Sequence, residues 1–277
     1  MLLPPSLTQP CPASSPLCSA EEEAGDGGSL GRSGPMSGGT PVMRTYHAHT
    51  DDIMCLGLHR DKRMVATGEI GKDPSICIWD THTLETVSIL KGVHGYGYAA
   101  LNFGTSPRNK LLVSVGSDPH HTIVVWDWAK GSAMSHVNGY DANVADVQFS
   151  PYESNKVVSC GDKHIKFWTL SGNTLTGKRG VYGKVGTMQT HLCLAFAEGG
   201  ITYSGAKNGD VYKWQGNQLL LVVHGAHKGA INSMHAYFVN SSKQIPTGYV
   251  TGSKDGTMRI WDPQFEELGA IDLRDSR

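Results

Sequence analysis

Five residues within nine positions could do chemistry in the stretch VVSCGDKHIKFWTL, residues 157–170: Cys160, Asp162, His164, Lys166 and Trp168. A thiol, a carboxylate, an imidazole and an amine this close together have the makings of a catalytic or metal site. Two further pairs invite the same reading, His47 with His49 and His120 with His121. Neither has a third and fourth ligand spaced to close a zinc site. The GxGxxG and GxxxxGK[ST] phosphate-binding patterns and the HExxH helix are missing from the chain. Any chemistry therefore rests on how the elements around residues 157–170 place these side chains.

Those elements repeat. Trp79, Trp126, Trp168, Trp214 and Trp261 follow one another at intervals of 47, 42, 46 and 47 residues. Each ends a short apolar run: ICIW, IVVW, IKFW, VYKW and MRIW. Three continue as Trp-Asp, and each run follows a glycine turn such as SCGDKH or TGSKDGT. Upstream of each turn lies another apolar run: IMCLGLH, YAALNF, NVADVQF, LCLAF and INSMHAYF. Short strands punctuated by glycine, at a period of roughly 40–45 residues with a terminal Trp-Asp, are the signature of four-stranded WD-repeat blades. The expected fold is all-β, a propeller of about five blades.

The polar residues repeat in step. Asp73, Asp162, Asn208 and Asp255 stand six positions before the blade-ending Trp, and Asp118 stands eight before. Ser204 and Thr251 stand ten before, with Thr67, Ser114 and Ser159 offset by turn length. His49, His94 and His227 precede the first strands of their blades. A buried polar group must find a partner, so His, Ser/Thr, Asp and Trp are expected to form a hydrogen-bonded chain within each blade. In the third blade Tyr140 stands where that His would be, so its chain should be incomplete. A catalytic site occurs once, whereas this pattern occurs in every blade and is architecture. Alternation along the third strand should send Ile165 and Phe167 toward one neighbouring blade, and Lys166 and Trp168 toward the other. Cys160 reads as a core thiol, and His164, opening its strand, is free to be exposed. Lys178, Arg179 and Lys184 fall in TGKRGVYGK, on an outer strand or loop. They read as a solvated edge that protects an exposed strand, or as a contact for an acidic partner.

Composition narrows the function further. The chain has 277 residues, with 24 Lys and Arg against 25 Asp and Glu. That balance argues against nucleic acid and an acidic membrane surface as partners. Residues 1–43 are rich in Pro, Ser and Gly and should be a disordered tail, with the blades over 44–277. The six cysteines form no CxxC and read as reduced thiols. The N-terminus lacks a basic segment ahead of its apolar residues, and no run of about 18 apolar residues occurs. A cytoplasmic protein without metal or cofactor is the expectation.

Several stretches are more distinctive than a generic repeat: HTDDIMCLGLHRDKRMVATGE, SICIWDTHTLETVSIL, TIVVWDWAKG, CGDKHIKFWTL and ITYSGAKNGDVYKWQG. On these the chain resembles the first propeller of the echinoderm microtubule-associated protein-like family, closest in texture to its long members, like five and like six. The resemblance covers roughly residues 44–277. It implies a non-enzymatic scaffold that binds tubulin or microtubules in the cytoplasm and modifies microtubule assembly dynamics. The family plan also has a hydrophobic motif and a second propeller, and its short members add a coiled coil. None has a counterpart here, so a truncated or alternatively spliced product is expected. Two alternatives stand beside this reading. One is a generic WD-repeat adaptor for another protein or peptide. The other, an enzyme in the propeller channel, is weakest because the acids and bases recur by blade. Five blades of a larger ring should leave an open arc that self-associates or takes a companion supplying blades.

Overall fold

The computed structural model describes residues 43–106, 110–238 and 246–274. The expected tail over residues 1–43 lies, except for Met43, outside the described residues. The propeller unit is Thr45–Arg277. It is all-β, with five separate four-stranded antiparallel sheets. Blade 1 comprises β1 (Ile53–Leu58), β2 (Met64–Glu69), β3 (Ile76–Asp80) and β4 (Thr86–Leu90). Blade 2 comprises β5 (Tyr98–Phe103), β6 (Leu111–Gly116), β7 (Ile123–Asp127) and β8 (Ser132–Val137). Blade 3 comprises β9 (Val144–Phe149), β10 (Lys156–Gly161), β11 (His164–Ser171) and β12 (Thr174–Arg179). Blade 4 comprises β13 (His191–Ala197), β14 (Ile201–Ala206), β15 (Val211–Gln215) and β16 (Gln218–Val223). Blade 5 comprises β17 (Ile231–Tyr237), β18 (Gly248–Ser253), β19 (Thr257–Trp261) and β20 (Glu267–Asp272). The repeat read from the tryptophans is therefore the architecture.

Register repeats with it. Every inner strand carries a bulge after its first residue, at Ile53/Cys55, Tyr98/Ala100, Val144/Asp146, His191/Cys193 and Ile231/Ser233. Four outer pairings shift register at the Trp, as at Val125/Trp126. Blade 3 runs without that shift and sets Gly177 directly opposite Trp168. A Cβ on Gly177 would sit 2.5 Å from the indole, so only glycine fits beneath the ring.

The core lies between blades. Ala66, Ile76 and Ile78 of blade 1 pack with Leu101, Phe103 and Trp126 of blade 2. Val113 and Val125 pack with Val147 and Trp168. Cys160 and Ile165 pack with Phe196 and Trp214. Tyr203 and Val211 pack with Tyr249 and Trp261. Each of these indoles thus points back at the preceding blade. Each such buried side chain contributes about 1.5–3 kcal/mol by leaving water, which makes the inter-blade seams the main source of stability.

Polar contacts stitch the inner strands as well. The Phe149 amide donates to Asn102 Oδ1 at 3.0 Å, and the Leu194 amide to Asp146 Oδ2 at 3.2 Å. Gln148 Nε2 also donates to Asp146 Oδ2, at 2.8 Å, and burial pushes that carboxyl up to about 6. Cys193 Sγ donates to the Ile231 carbonyl at 3.4 Å.

The series breaks at its two ends. Leu56 and Leu58 of β1 are 63% and 53% exposed, whereas Leu101 and Phe103, which hold the matching places in β5, are 7% and 4% exposed. Trp79 is only half-buried. Tyr46 stacks on it, centroids 4.5 Å apart with 10° between planes, and its hydroxyl lies 2.8 Å from Thr86 Oγ1. At the other end, Ser233 and His235 are exposed where their blade 4 counterparts Cys193 and Ala195 are buried. Among the described residues, these faces of blades 1 and 5 are left exposed.

Candidate interaction site

The residues that opened the sequence reading do not converge. Cys160 packs toward blade 4, and burial raises its thiol well above the ordinary range, so it stays protonated and a poor nucleophile. Asp162 is exposed in the turn. Ile165 faces blade 4 and Trp168 faces blade 2, as alternation requires.

Blade 5 builds the expected chain in full, blade 1 builds it with a different acid, and blade 2 builds it as far as the histidine. In blade 1 the indole of Trp79 donates to Thr67 Oγ1 at 3.1 Å, and Thr67 Oγ1 lies 2.6 Å from His49 Nε2. His49 Nδ1 lies 3.1 Å from Glu69 Oε2. A carboxylate only accepts, so Nδ1 carries the proton, Nε2 accepts from the threonine hydroxyl, and that oxygen accepts from the indole. Blade 5 repeats this with Trp261, Thr251, His227 and Asp255 at 2.7, 2.7 and 3.3 Å. In blade 2, Trp126 donates to Ser114 at 2.8 Å and Ser114 meets His94 at 3.1 Å. His94 Nδ1 stands 3.7 Å from Asp118, beyond hydrogen-bond reach.

The sequence placed three acids or amides wrongly. Asp73 is exposed at a positive φ, and Glu69 takes its role because it follows Thr67 by two along β2 and shares its face. Asp162 joins through its main chain alone, its carbonyl accepting from His164 Nδ1 at 3.1 Å. Asn208 is exposed and donates to Asp210 Oδ2 at 2.8 Å, outside the Ser204 chain.

Blade 4 has its own solution, which the sequence reading missed. Trp214 donates to Ser204 at 2.9 Å, and Ser204 meets His191 Nδ1 at 3.0 Å. His191 Nε2 meets the Tyr182 hydroxyl at 2.8 Å. The imidazole is turned end for end relative to the other blades and enters from the first residue of β13 instead of the preceding loop. A His directly ahead of LCLAF was the available signal. Burial lowers His191 to about 3 and His94 to about 4, so both are neutral near neutral pH.

Blade 3 keeps only the link from Trp168 to Ser159, at 2.9 Å. Tyr140 fills the missing histidine's place and stacks on His164, centroids 4.1 Å apart. His164, free to be exposed by sequence, is instead 4% exposed, and burial lowers its pKa. Lys166 lies 4.1 Å over the Trp168 ring and donates to the Gly139 carbonyl at 2.9 Å.

Lys178, Arg179 and Lys184 are all exposed at the outer edge of blade 3 and the loop that follows. They do not share one face. Arg179 pairs with Lys166 across the strands and lies 5.1 Å over the Tyr140 ring. Lys178 pairs with Phe167 and faces blade 4. There it lines a groove of about 240 Å³ with Glu153, Lys156, Thr202 and Asn217. The arrangement suits an extended acidic segment crossing the β12 edge better than a compact anion.

Residues 43–277 match the family described as the echinoderm microtubule-associated protein first beta-propeller. Echinoderm microtubule-associated protein-like 1 of Mus musculus is 32% identical over 243 residues, 84% of this chain and 29% of that protein. The like 2 protein of Homo sapiens is 31% identical over 242 residues, 83% of this chain and 36% of that one. The human like 4 protein is 31% identical over 250 residues, covering 84% and 26%. The chain therefore spans roughly a third or less of the length of these relatives.

Proposed function

This chain belongs to the echinoderm microtubule-associated protein family, and from that premise we propose that it is a non-enzymatic cytoplasmic scaffold that binds tubulin or microtubules. Family membership carries the reading, since the relatives' names give microtubule association. The recurring hydrogen bonds support the non-enzymatic part: the Trp, Ser or Thr and His side chains that repeat by blade bond to one another. We assign the contact to the outer edge of blade 3, where Lys178, Arg179 and Lys184 are exposed and could meet an acidic segment of the partner.

Co-sedimentation of the purified chain with microtubules tests this. The wild type should pellet with them, and binding should fall with added salt, because exposed charges are screened within about 8–10 Å near physiological ionic strength. Reversing all three charges (Lys178→Glu, Arg179→Glu, Lys184→Glu) should weaken binding several-fold while the thermal unfolding midpoint holds. A wild-type chain that stays in the supernatant sinks the function. Binding that the triple variant retains sinks only the placement.

A further inference from the structure

The residue two beyond the tryptophan holds the same place in blades 2, 3 and 4. Its amide donates to the carbonyl of the residue just ahead of the second strand: Trp128 to Lys110 at 2.8 Å, Leu170 to Asn155 at 2.8 Å and Gly216 to Gly200 at 3.1 Å. In blades 2 and 3 that residue is buried and packs into the seam with the preceding blade. Blade 5 fills its own seam with Phe265, from the turn between β19 and β20. Blade 4 has glycine at this place, and a Cβ on Gly216 would meet nothing within 4 Å.

The walls around the place are otherwise alike. The Trp128 ring meets Phe103 at 5.9 Å and His59 at 6.1 Å, each edge to face. Phe103 pairs with Leu112, and Leu112 with Trp126; Phe196 pairs with Thr202, and Thr202 with Trp214. The His59 amide donates to the Met64 carbonyl as the Ser150 amide does to the Lys156 carbonyl. Phe196, Thr202, Ser150, Lys156 and Gly216 therefore stand where Phe103, Leu112, His59, Met64 and Trp128 stand one seam apart, and all five line the groove of about 240 Å³. A cavity of about 150 Å³ lined by apolar side chains already holds benzene, so the groove has room for an aromatic ring.

We propose that this groove is a socket for an aromatic side chain carried on an extended acidic segment of the partner. The aromatic follows from the seams themselves, which use Trp128 and Phe265 to fill the corresponding ground. The acidity rests on the reading given above for the β12 edge. Lys156 and Lys178 line the groove against a single acid, Glu153. Val158, Phe167 and Lys178 form one cross-strand row facing blade 4, which sets an ammonium at the outer end of an apolar wall. A carboxylate next to the seated ring meets it there. Residues 1–42 contain Glu21, Glu22 and Glu23 but no Phe, Tyr or Trp, so that acidic run does not supply the ring.

Fluorescence anisotropy on the full chain tests this with three labelled peptides, EDEFEDE, EDEAEDE and KSKFKSK. EDEFEDE should bind, EDEAEDE should bind at least about tenfold more weakly because no ring is buried, and KSKFKSK should not bind. Thr202→Leu installs the residue that blade 2 holds at the matching place and fills part of the socket. It should weaken EDEFEDE several-fold with the unfolding midpoint at or above that of the wild type. Lys178→Glu, at an exposed site, should weaken the same peptide and leave the midpoint unchanged. Equal affinity for EDEFEDE and EDEAEDE overturns the proposal, as does undetectable binding of EDEFEDE, wild-type affinity in both variants, or tighter binding of KSKFKSK, which would assign the groove to a basic partner. Tighter binding of EDEFEDE after Glu21→Gln, Glu22→Gln and Glu23→Gln together would assign it to the chain's own acidic run and overturn it too. No microtubules enter these measurements. A chain that pellets with microtubules but does not tell Phe from Ala loses the socket and keeps the function, and one that binds EDEFEDE but stays in the supernatant keeps the socket and loses the function.

Discussion

Trp126 and Trp79 make the same hydrogen bond in different surroundings. One donates to Ser114 at 2.8 Å, the other to Thr67 at 3.1 Å. Trp126 is 1% exposed beneath the side chains of blade 1, whereas Trp79 is half-buried beneath Tyr46. The polar chain is a property of one blade, and burial is a property of two. A blade can therefore be complete in its hydrogen bonds and still lack most of its packing.

The sharpest way to break this comparison is to remove each indole. Trp126→Ala should cost about 3–5 kcal/mol, the cavity and the lost transfer energy of a buried aromatic together. Trp79→Ala should cost about half that or less, since part of its surface is already in water. Urea unfolding in dilute solution measures both. Equal losses would mean that the hydrogen bond, common to both, outweighs the packing.

Acid probes the polar chains instead. His94 and His191 have folded pKa values near 4 and 3, below the ordinary 6.5. Between those limits the unfolded chain binds protons that the folded one refuses, so stability rises with pH across that window. The contribution is whole above about pH 6.5 and is lost as pH falls toward 4 and 3. At most, His94 is worth about 3 kcal/mol and His191 about 5 kcal/mol. Unfolding midpoints measured from pH 7 to pH 4.5 should fall, and His191→Gln should flatten the slope. Depressed carboxylates such as Glu69, near 2, act with the same sign but below about pH 4.5. A flat profile in the wild type would show that these imidazoles titrate normally.

Blade 3 offers a third contrast, since it lacks the histidine that the others use. His164 is buried on Tyr140 and bonded to the Asp162 carbonyl. His164→Ala should cost about 1–2 kcal/mol through lost stacking and a lost hydrogen bond. A neutral result would return His164 to the exposed turn that its position at the start of β11 suggests.

What could be read from sequence follows the same division. The tryptophans, the Ser/Thr that receive them and the strand alternation are set within about fifteen residues of one another, and all five blades were legible from them. His49, His94 and His227 were found because each stands in the loop ahead of its strand. His191 was not, because its imidazole reaches Ser204 from inside the strand and reversed end for end. Asp73 was chosen over Glu69 because spacing from the Trp counts turn residues, and the blade 1 turn is long. Facing within the strand was the better guide there. Lys178 and Arg179 are adjacent in sequence, but pairing with Phe167 and Lys166 sends them to opposite faces. Nothing local reports what lies across a seam, so the role of Tyr46 over Trp79 could not be read from its own neighbourhood.

The smallest expected effect isolates that seam. Leu56 and Leu101 are both leucines at the same place in an inner strand, two residues from the end of that strand. Leu101→Ala opens a cavity between blades 1 and 2 and should cost about 2–5 kcal/mol. Leu56→Ala removes side-chain surface that water already reaches, and in dilute solution it should change stability by no more than about 0.5 kcal/mol. The two sites share backbone geometry and residue type, so any difference between them measures the neighbour alone. A Leu56→Ala penalty that matches Leu101→Ala in dilute protein would mean that blade 1 is already covered within a single chain, and the exposed face would be the wrong description.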